Sequence, residues 1–161
     1  MEITVQQHYQ GILDEMQDIV ERHPYHAFAL LSILIEVIGK SINNDDDWQH
    51  FEPKGKDFNA ALTSCLALQK YQNIKGLYGI LRCGMNHAFL PKEGIKLAPD
   101  NNDLVNNIIG CKELYDDIKD AWDSIITGGT KSSKDLSKPI MSIEGPLSSI
   151  TSSTESRFEQ K

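Results

Sequence analysis

The stretch from Pro24 to Ile42 constrains the fold most, because almost every position between Ala27 and Ile38 is apolar. A helix that is apolar nearly all round has to be surrounded by other elements. At about a dozen residues, and with Glu36 inside it, this run falls short of the roughly 20 apolar residues a bilayer span needs. It predicts a central core helix and no membrane partner. Ser32, Glu36 and Lys40 recur along it at four-residue steps as one thin polar stripe. A charge buried without a partner is strongly unfavourable, so this stripe must meet polar groups on a neighbouring element.

The neighbours are legible as amphipathic helices. Ile3, Tyr9, Ile12, Leu13, Met16, Ile19 and Val20 recur at helical spacing, with acidic and amide residues between them, and predict a first helix over 3–22. His23-Pro24 ends it, and Pro24 suits the opening turn of the core helix, where no N–H is required. A polar loop with Asp45, Asp46 and Asp47 follows; it lacks the spacing and terminal Glu of a calcium loop, and its aspartates read as caps or solvated side chains. Phe58, Leu62, Cys65, Leu66 and Leu68 predict a third helix from Asp57 to Tyr71, and a fourth runs from Ile74 or Lys75 to just before Pro91. Ile95-Lys96-Leu97 and Leu104-Val105, set among turn residues, allow a small β-hairpin. Leu114, Tyr115, Ile118, Ala121, Trp122 and Ile125 give a fifth helix over 112–126, ended by Gly128-Gly129. The expectation is an all-α antiparallel bundle of about five helices over residues 1–128. A Ser/Thr-rich tail over 129–161 is expected to be mobile or loosely docked, with Ile140-Met141-Ser142-Ile143 able to dock as a strand.

The chain has 161 residues, enough for one ordinary core, and a net charge of -7, which disfavours a general phosphate-binding surface. Any nucleic-acid role must be local. Three widely spaced cysteines, with no C-x-x-C pair, suggest neither a disulfide framework nor a metal site, and no cofactor is implied. Residues 1–7 have no basic segment leading into an apolar run, so no signal peptide is read there. Reduced thiols and the missing signal point to the cytoplasm.

The fourth helix carries the chemistry. At about 100° per residue, Arg82, Asn86, Gly79, Cys83 and His87 share one side, while Leu77, Ile80, Leu81, Met85, Ala88 and Phe89 form an apolar back. Gly79 and Cys83 are small, leaving room for another backbone or a ligand. Arg82 can grip a phosphate in a fork and His87 can exchange a proton near neutral pH, a pairing that suits RNA cleavage by the adjacent 2′-hydroxyl without a metal. Asn86 would orient the His or the phosphate. The structural alternative pairs Arg82 with Glu36 and makes His87 a satisfied helix-end residue. Cys83 and His87, four apart, are too few for a structural zinc site.

The segment from Leu77 to Lys92, with Arg82 and His87 separated by four residues, resembles the HEPN superfamily of helical domains, and Leu114-Tyr115-Asp116-Asp117-Ile118 resembles its final helix. The resemblance covers about residues 1–128. It implies a homodimer in which two motif helices meet across a cleft, with Gly79 and Cys83 giving the partner helix room. It further implies a metal-independent endoribonuclease of a toxin or antiphage type, acting on single-stranded RNA through Arg82 and His87 and held by an antitoxin or other partner protein. Family members often carry Asn or Asp after the arginine, where this chain has Cys83. Non-catalytic relatives make a binding or interaction module the alternative.

Overall fold

A computed structural model describes residues 2–43, 48, 55–88, 90–91 and 94–142. The described residues are mainly helical, with two two-stranded sheets among them. Contacts divide the chain into two units, one of residues 1–11 with 136–161, the other of residues 12–135. The compositional change after Gly128 falls inside the second unit.

In the first unit, strand β1 (Glu2–Thr4) pairs antiparallel with β4 (Pro139–Ser142), Ile3 opposite Met141, with an irregularity between Ile3 and Thr4. The pairing continues as Val5 and Gln6 donate N–H groups to the Lys138 and Leu136 carbonyls, each at 3.0 Å. Thr4 and Gln7 then close a reciprocal cap: the Gln7 N–H donates to Thr4 Oγ1 at 3.2 Å and the Thr4 N–H to Gln7 Oε1 at 3.0 Å. That cap starts helix α1 at Val5, so the helical periodicity expected from residue 3 gives way first to a strand.

In the second unit, α1 (Val5–Arg22) from Ile12 onward contributes Leu13, Met16 and Val20 to the core. Helix α2 (Pro24–Ile42) is buried along most of its length. By length and composition alone α2 could cross a membrane, but 67% of its apolar window is buried inside the protein, as in a core helix. Helix α3 (Lys56–Ser64) packs so closely on α2 that a Cβ at Gly39 would fall on the Asp57 carbonyl. Asn43 at the end of α2 donates to the Asp57 side chain.

The third expected helix is broken. Cys65 is extended (φ -95°, ψ 116°), and Leu66–Asn73 continues as a 3₁₀ helix. Gln69 and Gln72 donate to the Thr63 and Leu62 carbonyls at 3.1 and 2.7 Å, satisfying groups that a continuous helix would have used itself. The tighter winding buries Leu68 and Tyr71 and leaves Leu66 exposed.

The fourth helix is also irregular: Tyr78–Cys83 is a π-helix, followed by α4 (Gly84–Ala88). The expected hairpin does not form. Instead β2 (Lys96–Ala98) pairs parallel with β3 (Ile108–Gly110), Leu97 opposite Ile109. Leu104-Val105 lies in a 3₁₀ turn (Leu104–Asn106), because the Asp103 side chain accepts from the Asn106 N–H and Asn107 adopts φ +57°, so a cap takes the residues that a returning strand would need. Helix α5 (Cys111–Ile126) has the expected amphipathic face and gives way to Gly128 at φ +83°.

Of the tail, Thr130 is buried, and Ser132 and Ser133 hydrogen-bond to the Ser41 carbonyl at 2.8 and 3.3 Å. Asp45, Asp46, Asp47 and residues 143–161 lie outside the described residues.

Candidate functional site

Leu77, Leu81 and Met85, four apart, are buried and fix the helix after Gly76 on the core. The next row round, Tyr78, Arg82 and Asn86, is brought against the polar stripe of α2. Arg82 Nε donates to Glu36 Oε2 at 2.7 Å, with the two side chains 22% and 12% exposed. Asn86 Nδ2 donates to Ser32 Oγ at 3.1 Å and to the Arg82 carbonyl at 2.7 Å. Ser32 in turn donates to the Ala29 carbonyl at 2.7 Å. The pairs 36 with 82 and 32 with 86 run in opposite directions along the two helices, which fixes one axial register between them.

Tyr78 closes this seam at its other end. Its ring meets Phe58 edge-on at a centroid separation of 5.6 Å and occupies the place where a Cβ at Gly55 would stand. Gly55 therefore has to be glycine twice over, for this contact and for its φ of +73°. Burial pushes the Tyr78 hydroxyl above its ordinary pKa, with the charges of Glu36 and Cys83 adding and Arg82 opposing.

The side of the helix that the sequence groups together is thus divided. Arg82 and Asn86 face α2 with Glu36, whereas Gly79 has nothing within 4 Å of where its Cβ would be, and Cys83 is half-buried. Ile80, placed on the apolar back by an even 100° step, is only half-buried, since a π turn winds more residues per revolution than an α turn. His87 belongs to the backbone of α4, and its side chain lies outside the described residues. Arg82 and His87 thus share one helix backbone, with no side-chain distance between them among the described residues. Among the described residues no group of three His, Cys, Asp or Glu could hold a metal ion.

A second polar cluster escapes the sequence reading. Tyr71, fully buried, donates from Oη to Asp117 Oδ2 at 2.6 Å and accepts from Asn102 Nδ2 at 2.7 Å. Lys70 Nζ bridges Glu113 Oε1 at 2.7 Å and Asp117 Oδ2 at 2.8 Å, and Glu113 Oε2 accepts the Asn102 N–H at 2.8 Å. Asn102 Oδ1 accepts from the Gly110 N–H at 2.8 Å. Burial raises the Asp117 pKa against the opposing effects of Lys70 and Tyr71, while Lys70 and the Asn102 N–H lower that of Glu113. Burial opposes the charge on Lys70, but Asp117 and Glu113 together prevail and raise its pKa. Burial above all pushes the Tyr71 hydroxyl far up. The only sequence signal was Glu113 and Asp117 at helical spacing; their partners come from two other segments. Every member has a hydrogen-bond partner, as in a structural network tying the 3₁₀ helix Leu66–Asn73 and the segment 99–110 to α5.

The remaining cysteines are buried thiols. Burial pushes Cys65 up to about 11 and Cys111 up to about 12, values that keep both protonated and unreactive at neutral pH.

Compared with known protein families, curated proteins and solved structures, the chain matches none.

Proposed function

We propose that this protein is a HEPN-like helical interaction module, an antiparallel bundle that acts in the cytoplasm as a homodimer or on a partner protein, with Arg82 in a structural ion pair. The observation that carries this reading is the 2.7 Å bond from Arg82 Nε to Glu36 Oε2, which turns the guanidinium toward its own core helix. A docking face is available beside that seam. On a helical wheel, Ile33, Val37 and Leu30 lie to one side of Glu36, and for a helix running the opposite way Gly79 and Cys83 lie to the same side of Arg82. Leu30 is 42% exposed, the other four are half-buried, and Gly79 leaves room for a second helix. A second copy would bury this face against its own image, as two-fold interfaces do.

The competing reading, a metal-independent endoribonuclease acting on single-stranded RNA, draws support from one observation: Glu36 engages only Nε, and the Arg82 side chain keeps partial exposure. One experiment separates the two. Purified protein incubated with single-stranded RNA in EDTA should leave it intact, while Arg82→Ala and Glu36→Ala should both lower thermal stability. Cleavage that disappears in His87→Ala, with Arg82→Ala melting like the parent, would establish the nuclease instead.

A further inference from the structure

The six residues Tyr78–Cys83 wind as a π-helix, a form that L-residues adopt only in short pieces and mostly where function or constraint demands it. The constraint is visible at both ends. Upstream, Tyr78 is pinned between Phe58 and Gly55. Downstream, Arg82 and Asn86 are pinned by Glu36 and Ser32. An α-helix would fix the angle between positions 78 and 82 at about 40°. A turn closed from i to i+5 winds less per residue and alters that angle, so it can serve two anchors that an α turn would not serve together. The buried row of Leu77, Leu81 and Met85 repeats every four residues, so a one-turn slip would place Leu or Met on Leu, and the apolar contacts alone leave the register undecided. The polar pairs decide it. Beside the N-terminal half, a cleft of about 490 Å³ bordered by Leu62, Ile74 and Leu77 leaves space for movement, and Gly76, at φ +73°, gives the chain a pivot there.

We propose that the Glu36–Arg82 pair is a latch that holds this turn in its π form. With the pair closed the wide turn persists; with it broken the segment relaxes to α-helix, and the row of Gly79 turns relative to α2. This inference concerns a single chain and does not rest on the interaction role proposed above.

The test is NMR of the full isotopically labelled chain, reading hydrogen-bond couplings to find which carbonyl each amide of the segment uses. The parent should show i to i+5 pairing, and Glu36→Met/Arg82→Met, which removes both charges and keeps apolar volume, should show i to i+4 pairing. Retention of i to i+5 pairing in the folded double variant, or i to i+4 pairing in the parent, overturns the latch. Should the double variant not fold, Glu36→Gln gives the second reading. Exchange broadening confined to the amides between Gly76 and Gly84 supports the latch, and sharp, unshifted resonances there overturn it.

Discussion

Gly39 shows how much of this fold rests on single atoms. It lies on a helix whose other positions are nearly all large or apolar, and it lets the Asp57 carbonyl lie where a side chain would begin. Because that obstacle is backbone, it cannot rotate aside. Gly39→Ala should therefore destabilise the protein by about 3 kcal/mol or more, the upper end of overpacking costs, in urea denaturation; an unchanged midpoint would mean that α2 and α3 are further apart. Gly11, with nothing within 4 Å of its Cβ position, is the internal control, and Gly11→Ala should be neutral or mildly stabilising. The stripe of Ser32, Glu36 and Lys40 was readable from the sequence because polar residues on an otherwise apolar helix demand partners. Arg82 was readable as the partner of Glu36 because it sits on the polar side of its helix, whereas Asn86, expected to orient His87 or a phosphate, donates to Ser32 instead. The close approach at Gly39 was not, since nothing in a glycine's neighbours along the chain reports what crosses it in space.

At the scale of elements, α1 and α5 were legible from their periodicity, because each presents one regular apolar face, and α2 from its nearly unbroken apolar run after Pro24. The breaks at Cys65 and over Tyr78–Cys83 were not. A 3₁₀ or π turn uses the same residue types as an α turn and is chosen by tertiary anchors, here Gln69 and Gln72 on α3 and Tyr78 on Phe58. The parallel pairing of β2 and β3 was hidden for a similar reason, since Asp103 and Asn107 make a capped turn out of the residues that a hairpin would have used. The cluster on α5 makes a prediction with a sign. Glu113 has its pKa lowered in the folded protein, so its contribution is fully present above the ordinary Glu range and is lost as pH falls through the folded value. Glu113→Gln should thus lower the urea midpoint at pH 7 and cost progressively less below about pH 5. A penalty that stays constant down to pH 3 would contradict the Lys70 and Asn102 contacts. Asp117 acts in the opposite sense: burial raises its pKa, so its contribution is largest at low pH and declines as pH rises through the folded value.

For the whole molecule, the helical character was legible in composition and periodicity, whereas the sheet joining Glu2–Thr4 to Pro139–Ser142 spans nearly the whole described chain and only its second strand had a sequence signal. The proposed docking face gives a prediction at this scale. Val37→Glu should shift the protein toward monomer in sedimentation equilibrium while leaving its melting temperature, measured at low concentration, close to that of the parent. A parent that is monomeric at every concentration would limit the face to a partner protein. Beneath that face lies the Arg82–Glu36 pair, whose proposed role is structural.

A double-mutant cycle on positions 36 and 82, read by urea denaturation, decides whether that role holds. Glu36→Met and Arg82→Met should each destabilise by about 3 kcal/mol, the low end of the cost of orphaning a largely buried charge, while the double variant recovers most of that loss. Two single losses that simply add, or an Arg82→Met variant as stable as the parent, would contradict it.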